Sequence, residues 1–229
     1  MIKEAMILAA GYGKRLNPIT LKYPKPLLKI GENTLLSNTL NFLEKIKVDK
    51  VVINTHYLQE QIVEYLGKKK FNLDITIVNE KEKILDTGGG ILNILKHFED
   101  NFICINPDTI WNSSYIEEFK KMEHDFNNSK KKCSLLVVNK QKSFDKNLKG
   151  DFNLQNGLIS RNKNEILNYI FTGLQIINKE IFSNINDEVF SINKVWDNLI
   201  ERNELFALES EVHFVHVSTL DVYKKLNIK

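Results

Sequence analysis

The sequence predicts an α/β protein with a mainly parallel sheet and helices on both faces. Strand and helix patterns alternate through the first half of the chain at the spacing of strand–helix–strand units, which favours a parallel sheet. The first strand, residues 5–10, is apolar at every position, as expected for a strand covered on both faces. With 42% apolar residues and only 10 glycines and 4 prolines, the composition excludes a collagen-like or mostly disordered chain.

The first half supplies the strand–helix alternation that predicts the parallel part of the sheet. An irregular loop follows the first strand over residues 11–31 and holds three of the four prolines. Apolar residues at helical spacing predict a helix over 35–46, with Asn33 or Thr34 as its cap. The same criteria predict strand 50–54, helix 59–66, strand 74–78, helix 89–98, strand 101–105 and helix 115–126, the last capped by Ser113 or Ser114.

The second half has a different pattern, with strands separated by polar turns. It predicts strands 134–138, 150–154 and 169–177, helix 191–202, strands 206–208 and 212–217, and a closing helix 220–226. Since no internal repeat or long linker interrupts the chain, we expect one domain over residues 1–229, whose second half supplies a lid or a substrate floor.

Charge and cysteine content narrow the class of protein. The chain of 229 residues carries 32 Lys and Arg against 29 Asp and Glu, a formal charge of +3, which is no nucleic-acid signature. Its two cysteines cannot build a disulfide framework, and Cys104 lies in an apolar run, so we expect buried, reduced thiols. No stretch has the length of a membrane span or a signal-peptide core. We therefore expect a soluble, cytoplasmic protein that binds neither nucleic acid nor membrane.

The loop after the first strand carries two cations beside glycines. Small residues and glycines let backbone N–H groups approach an anion closely, and Arg15 and Lys25 stand on the same loop. The topology places this loop at the carboxyl edge of a parallel sheet, where ligands bind. These features suggest a triphosphate site, while the alternative is an ordinary strand–helix turn with solvent-facing cations.

The full run in this loop is more specific than its glycines. It reads Leu8-Ala-Ala-Gly-Tyr-Gly-Lys-Arg-Leu-Asn-Pro-Ile-Thr20, followed by Pro24-Lys-Pro26. This run resembles the signature of the sugar-1-phosphate nucleotidyltransferases. The resemblance implies that Arg15 holds the β- and γ-phosphates and that Lys25 contacts the sugar phosphate and the α-phosphate, both as catalytic residues. It implies further nucleotide contacts at Leu8, Ala10, Gly11 and Gly13.

The resemblance also implies a fold and a separate binding role for each half of the chain. The fold would be the Rossmann-like, mainly parallel mixed sheet of the nucleotide-diphospho-sugar transferases, with no C-terminal β-helix. Residues 1–132 would form the nucleotide-binding half and residues 133–229 the sugar-binding half.

A second motif runs from Glu80 to Ile91 and contains Asp-Thr-Gly-Gly-Gly. Three glycines at a helix start are locally costly, about 1 kcal/mol each in a helix interior, which suggests a backbone that lies against a ligand; the alternative is a flexible loop. The motif is similar to the family's base-recognition segment, which implies that Glu80, Thr87 and Gly88 bind the nucleotide. Its glycine-rich form is similar to the short family members that use N-acetylmuramate 1-phosphate.

Two residues are candidate metal ligands. Asp108 follows a buried strand in Asn106-Pro-Asp108, and a carboxylate beside phosphates suits Mg²⁺, although an Asp can also simply begin a turn. The resemblance makes Asp108 the first metal ligand. Where the family has a second Asp, this chain has His216, which suits Mn²⁺ better than Mg²⁺. His216 could hold a metal-bound water or a phosphate oxygen. Alternatively, the protein could prefer a softer metal, its activity could be degraded, or His216 could have a purely structural role.

The candidate sugar contacts lie just before Asp108 and between Asp108 and His216 in the sequence. The runs Lys149-Gly-Asp-Phe152 and Phe171-Thr-Gly-Leu-Gln175 are similar to sugar-pocket runs of the family. The resemblance implies sugar contacts at Asn106, Gly150, Asp151, Thr172 and Gly173. A Gly-Asp turn and a bulge at Gly173 are the alternatives.

The resemblance implies nucleotidyl transfer from an NTP to a sugar 1-phosphate, which releases pyrophosphate, with Mg²⁺ or Mn²⁺ as cofactor. UTP and N-acetylmuramate 1-phosphate are the favoured substrates, which would place the protein in peptidoglycan recycling as a monomer or small homo-oligomer. The alternatives are a hexose or heptose 1-phosphate with GTP, CTP or dTTP, and a non-catalytic sugar-nucleotide sensor.

Overall fold

The computed structural model describes residues 1–80, 82–162 and 164–228. Within these ranges, nine strands form one mixed sheet in the order β5-β4-β1-β6-β10-β7-β11-β9-β8. The strands are β1 Glu4–Leu8, β4 Lys50–Thr55, β5 Asp74–Asn79, β6 Asn101–Ile105, β7 Cys133–Asn139, β8 Asn153–Gln155, β9 Leu158–Ser160, β10 Tyr169–Asn178 and β11 Phe206–Ser210. A separate small ribbon pairs β2 Lys29–Ile30 with β3 Asn33–Thr34.

Six α-helices are described. They are α1 Leu35–Lys45, α2 Gln59–Gly67, α3 Asp86–Ile94, α4 Ser114–Asn127, α5 Asn193–Glu201 and α6 Leu220–Asn227. Thr34 caps α1 as expected, since its side chain accepts from the Ser37 N–H. At α4 Ser113 occupies the predicted N-cap position, but its side chain makes no capping bond; the Asn112 side chain accepts from the Ser114 N–H instead.

Alternating side chains of the central strands bury two apolar cores, one on each face of the sheet. Ala5 and Ile7 of β1 face a core shared with α1, α2 and α4. Met6 faces the opposite core, which includes α3 and α5 and both cysteines. Burial raises the pKa of Cys104 to about 12, as expected for an inert thiol. The helices therefore cover both faces, and the predicted fold class is confirmed.

The strand directions bring several chain segments to one edge. β1 runs parallel to β4 and β6, and β4 runs parallel to β5. Their carboxyl ends therefore lie side by side and deliver the segments that follow them to the same place. Antiparallel β10 joins this parallel unit to β7 and the second half of the chain.

Several predicted boundaries are wrong for local reasons. The first strand ends at Leu8, since the Ala9 N–H donates to the side chain of Asn54 in β4 and not to the backbone of a neighbouring strand. Helix α3 begins at Asp86, three residues before the predicted start. The predicted strand 150–154 is reduced to β8, Asn153–Gln155, and β9 was not expected.

The predicted strand 212–217 is also wrong. This segment makes only isolated bridges, from Phe214 to Ser143 and from His216 to Thr109. It bridges two separate loops, so its apolar residues reflect contacts with those loops and not membership of the sheet. His213 on this segment is exposed.

The described residues contain no β-helix, in agreement with the predicted fold. No helix among them is long and apolar enough to cross a membrane.

Candidate active site

A cleft of about 390 Å³ opens at the carboxyl edge of β1, β4, β5 and β6. Most of the predicted nucleotide-binding residues line it, together with Lys25, Asn106 and Asp108. Its lining residues are Leu8, Ala9, Ala10, Gly11, Gly13, Lys14, Arg15, Leu16, Lys25, Pro26, Asn54, Glu80, Ile84, Asp86, Thr87, Asn106, Pro107 and Asp108. The first half of the chain thus brings its separate motifs together at one site.

The loop after β1 folds back tightly at Gly13, which has a φ of 64°. A Cβ at this position would lie 3.0 Å from Thr20 and 3.1 Å from Lys25, so any side chain here would be both strained and crowded. The Thr20 hydroxyl lies 3.0 Å from the Gly13 carbonyl oxygen and strengthens the fold-back. Gly13 therefore places the Lys25 segment against the first turn of the loop.

Gly11 has no such internal reason to be glycine. A Cβ there would meet no atom within 4 Å, and its φ lies outside the left-handed region. Because Gly11 lines the cleft, the space beside it belongs to the ligand volume. This is the expected geometry where a backbone must approach a ligand closely.

Arg15 is an exposed side chain at the cleft. No carboxylate in the described part of the chain forms an ion pair with it, so its guanidinium remains available for an anion. A guanidinium binds phosphate oxygens through two parallel N–H donors, which an ammonium cannot reproduce.

Lys25 and His216 converge on one oxygen of Asp108. The Lys25 Nζ lies 2.5 Å from Asp108 Oδ2, and the His216 Nε2 lies 3.0 Å from the same atom. Burial would raise the pKa of Asp108, but attraction and hydrogen bonds from Lys25 and His216 outweigh it and hold the pKa well below its usual range. Asp108 is therefore a carboxylate at neutral pH.

The other oxygen of Asp108 suits a divalent cation. Oδ1 is buried and has no hydrogen-bond partner in the structure, which is uncommon for a charged oxygen. No group of three or more His, Cys, Asp or Glu side chains capable of holding a metal occurs among the described residues. Asp108 therefore fits Mg²⁺ or Mn²⁺ only if substrate oxygens or waters complete the coordination shell.

Glu80 is buried below the cleft and joins two strands to the next helix. Its Oε1 accepts from the Asn54 side chain at 2.6 Å, and its Oε2 accepts from the Leu85 N–H at 2.8 Å. Asn54 in turn accepts from the Ala9 N–H at 2.9 Å. This network fixes the end of β1 relative to the segment that precedes α3. Lys81, beside Glu80, lies outside the described residues.

Protein packing accounts for the glycines at positions 88 and 89 of α3. A Cβ on Gly88 would lie 2.3 Å from the Phe190 ring, and one on Gly89 would lie 2.2 Å from the Glu188 carbonyl oxygen. Both glycine N–H groups donate to the Phe190 carbonyl. Thr87 lines the cleft and Gly88 does not, so nucleotide contact by Gly88 remains a prediction with no support in the geometry.

Apart from Asn106, the predicted sugar contacts are not among the residues that line the cleft. A Cβ on Gly150 would lie 2.2 Å from the Leu167 carbonyl oxygen. Asp151 accepts from the Phe171 N–H at 2.9 Å, and the buried Thr172 hydroxyl donates to the Leu136 carbonyl at 2.8 Å. These backbone contacts give the residues a structural role, and sugar binding by them stays a prediction.

Gly173 forms a bulge in β10 directly beside Asn106. It has a φ of 95°, and the β10–β7 register shifts between Phe171 and Gln175. Its carbonyl accepts from the Asn106 N–H at 2.7 Å, so the bulge positions Asn106 at the cleft.

Sequence reasoning missed Asn54 and Asp86 as cleft residues. A polar residue that ends a buried apolar strand, as Asn54 does, was a usable signal. Asp86 has a φ of 61°, a conformation that Asp adopts more readily than most residues, but nothing in the sequence pattern marks it.

Comparisons with known proteins agree with this geometry. A family model described as nucleotidyl transferase matches residues 4–147. The chain is 26% identical over 221 residues to the N-acetylmuramate alpha-1-phosphate uridylyltransferase of Caulobacter vibrioides, which covers 94% of this chain and 91% of that protein. It is 29% identical over 225 residues to the mannose-1-phosphate guanyltransferase of Saccharomyces cerevisiae, over 93% of this chain but only 61% of the yeast protein.

A solved structure shares the fold. HddC from Yersinia pseudotuberculosis, complexed with GMP-PN, has a TM-score of 0.78 and 21% identity, with 98% of each chain covered. The predicted enzyme class, a sugar-1-phosphate nucleotidyltransferase, is confirmed by these relatives. Because the matched residues include the loop, the lysine and the aspartate that form the cleft, the chain belongs to the nucleotidyl transferase family.

Proposed function

We propose that the protein joins UTP and N-acetylmuramate 1-phosphate to form a UDP-sugar and pyrophosphate. The observation that carries the proposal is the cleft itself, where the unpaired Arg15 and the Lys25–Asp108 pair face the open space beside Gly11. The substrate choice is supported by the Caulobacter relative, which this chain matches over nearly its whole length. The Asp-Thr-Gly-Gly-Gly run of α3 supports the same choice.

The reaction needs positioning and charge neutralisation more than a general base. A phosphate oxygen of the sugar 1-phosphate, already anionic at neutral pH, attacks the α-phosphorus of the nucleotide. The bond between the α-phosphorus and the bridging oxygen breaks, and pyrophosphate leaves with that oxygen. Arg15 binds the β- and γ-phosphates, and Lys25 binds the phosphate oxygens between which the new bond forms.

A divalent cation, Mg²⁺ or Mn²⁺, would supply further charge neutralisation on the triphosphate when bound. Asp108 would hold it through Oδ1, the buried oxygen without a partner. Lys25 stays on Oδ2 of the same carboxylate and is kept at the reacting phosphates.

We propose that residues 133–229 provide the sugar-binding half, with Asn106 at its boundary. N-acetylmuramate carries a carboxylate, and Lys149 is an exposed cation beside the predicted sugar run. This function would place the protein in the cytoplasm, in peptidoglycan recycling, as a monomer or small homo-oligomer.

A guanylyltransferase acting on a hexose or heptose 1-phosphate is the second candidate. The yeast relative is a mannose-1-phosphate guanyltransferase, and the HddC structure contains a guanine nucleotide analogue. A sugar-nucleotide sensor is the third, because His216 replaces a carboxylate in the family pattern.

Pyrophosphate release over a matrix of substrates separates these candidates. The matrix combines four NTPs with N-acetylmuramate, mannose, heptose and glucose 1-phosphates, each with Mg²⁺ and with Mn²⁺. We expect the highest kcat/KM for UTP with N-acetylmuramate 1-phosphate, and a loss of orders of magnitude in Arg15→Ala. Arg202→Ala, an exposed arginine outside the cleft lining, is the matched control and should keep wild-type rates.

Each contrary result has a clear meaning. Preference for GTP with a hexose or heptose 1-phosphate would replace the first candidate by the second. Tight nucleotide binding without turnover anywhere in the matrix would support the sensor. Wild-type rates in Arg15→Ala would refute the assignment of the cleft.

A further inference from the structure

The arrangement around Asp108 assigns its two oxygens to different partners. A carboxylate oxygen offers about two lone-pair sites. On Oδ2 these two sites are filled by Lys25 at 2.5 Å and by His216 at 3.0 Å. Oδ1 is buried and has no partner. The carboxylate is therefore fixed through one oxygen and open only through the other.

We propose that His216 is a positioning residue for Asp108 and not a metal ligand. This inference rests on the proposed function, in which a divalent cation accompanies the nucleotide. The Nε2 that donates to Oδ2 cannot give its lone pair to a cation at the same time. Of the Asp108–His216 pair, Oδ1 is then the one atom left open to a cation, and the cation binds only when the phosphates of the nucleotide supply further oxygens.

The backbone around His216 is built to hold this geometry. The Val217 N–H donates to the Asp108 carbonyl at 2.8 Å, and the Ile110 N–H donates to the Val215 carbonyl at 2.9 Å. The segments that carry the imidazole and the carboxylate are thus hydrogen-bonded on both sides of the pair.

The side chain of His216 is restrained as well. The Phe214 ring lies nearly parallel to the imidazole, with centroids 5.8 Å apart and planes 18° apart. The imidazole is mostly buried, with 18% of its side chain exposed. A hydrogen-bond donor held in this way fixes the orientation of the carboxylate that it contacts.

The proposal predicts that the free protein lacks a metal site and that one substitution creates it. We would titrate Mn²⁺ into the full chain without nucleotide and follow free Mn²⁺ by electron paramagnetic resonance. Wild type and His216→Gln, which keeps an N–H donor, should leave the Mn²⁺ signal as in buffer. His216→Asp adds a second carboxylate next to that of Asp108 and should bind Mn²⁺ at least tenfold more tightly. His213→Gln, at an exposed histidine of the same segment, is the matched control.

Two results of this titration would overturn the proposal. One is Mn²⁺ binding by the wild-type protein that is lost in His216→Gln. The other is a folded His216→Asp variant, judged by circular dichroism and thermal unfolding, that binds no more Mn²⁺ than wild type.

A spectroscopic measurement on the wild-type protein covers the case in which the variant does not fold. Electron spin echo envelope modulation of Mn²⁺ detects nitrogen bonded directly to the metal. With Mn²⁺ and UTP added together we expect no directly bonded nitrogen, and a strong imidazole nitrogen coupling would refute the positioning role. Neither measurement needs turnover. Both therefore still test the role of His216 if the protein does not convert the proposed substrates.

Discussion

Replacing Gly11 by alanine should separate ligand binding from stability. A Cβ at Gly11 would contact no protein atom within 4 Å, so the substitution introduces no steric clash in the folded state. Because alanine reduces the freedom of the unfolded chain, we expect an unchanged or slightly higher free energy of unfolding, by up to about 1 kcal/mol. The added methyl group projects into ligand space at the cleft. Overpacking of this kind costs about 1–3 kcal/mol, which corresponds to roughly 5- to 150-fold weaker nucleotide binding.

The assay combines urea unfolding with isothermal titration of UTP and GTP in the presence of Mg²⁺. Gly67→Ala is the matched control, because its Cβ would also meet nothing within 4 Å and Gly67 lies at the end of α2, outside the cleft lining. It should leave affinity unchanged. Wild-type affinity in Gly11→Ala would show that the nucleotide does not lie against this loop. A large loss in the free energy of unfolding would show that the added methyl group meets protein atoms.

Three further substitutions test the site and its support. Arg15→Lys keeps the charge but loses a paired N–H donor worth about 1.5–3 kcal/mol, so pyrophosphate assays should show kcat/KM reduced roughly 10- to 150-fold; an unchanged value would contradict bidentate binding. Gly90→Ala places a Cβ 2.7 Å and 2.8 Å from the buried carboxylate–amide pair beneath it, and urea unfolding should show a loss of about 1–3 kcal/mol. Gly173→Ala combines a φ of 95° with a Cβ 2.9 Å from Asn106, so thermal unfolding should show a destabilisation of about 1–3 kcal/mol. Stability equal to that of the wild type would mean that the backbone bulge accepts a side chain without strain.

Local pattern was sufficient to predict the parallel half of the fold. Continuous apolar runs such as that of β6 correspond to strands buried on both faces, and helical spacing located α1 to within one residue at its end. The pattern failed where distant contacts decide the structure. Residues 212–217 have the apolar and β-branched content of a strand, but their partners are two loops, at Ser143 and Thr109, that no local rule connects to them.

The candidate site was predictable where the motif residues themselves line the cleft, as Arg15, Lys25 and Asp108 do. It was not predictable where the reason for a residue lies elsewhere in the chain. The motif predicts that Gly88 contacts the ligand. In the structure the Phe190 ring, about a hundred positions later in the chain, occupies the space that a side chain at position 88 would need. The convergence of Lys25 and His216 on a single oxygen likewise depends on three segments that only the folded chain brings together.

Isotope transfer tests the central claim most directly. N-acetylmuramate 1-phosphate labelled with ¹⁸O in its phosphate group would be incubated with UTP, Mg²⁺ and the protein, and the products would be analysed by mass spectrometry and ³¹P nuclear magnetic resonance. Attack by the sugar phosphate on the α-phosphorus predicts that all of the label is found in the UDP-sugar and that the pyrophosphate is unlabelled. Labelled pyrophosphate, or the absence of any nucleotide sugar with each base and sugar phosphate of the matrix, would contradict nucleotidyl transfer in this cleft.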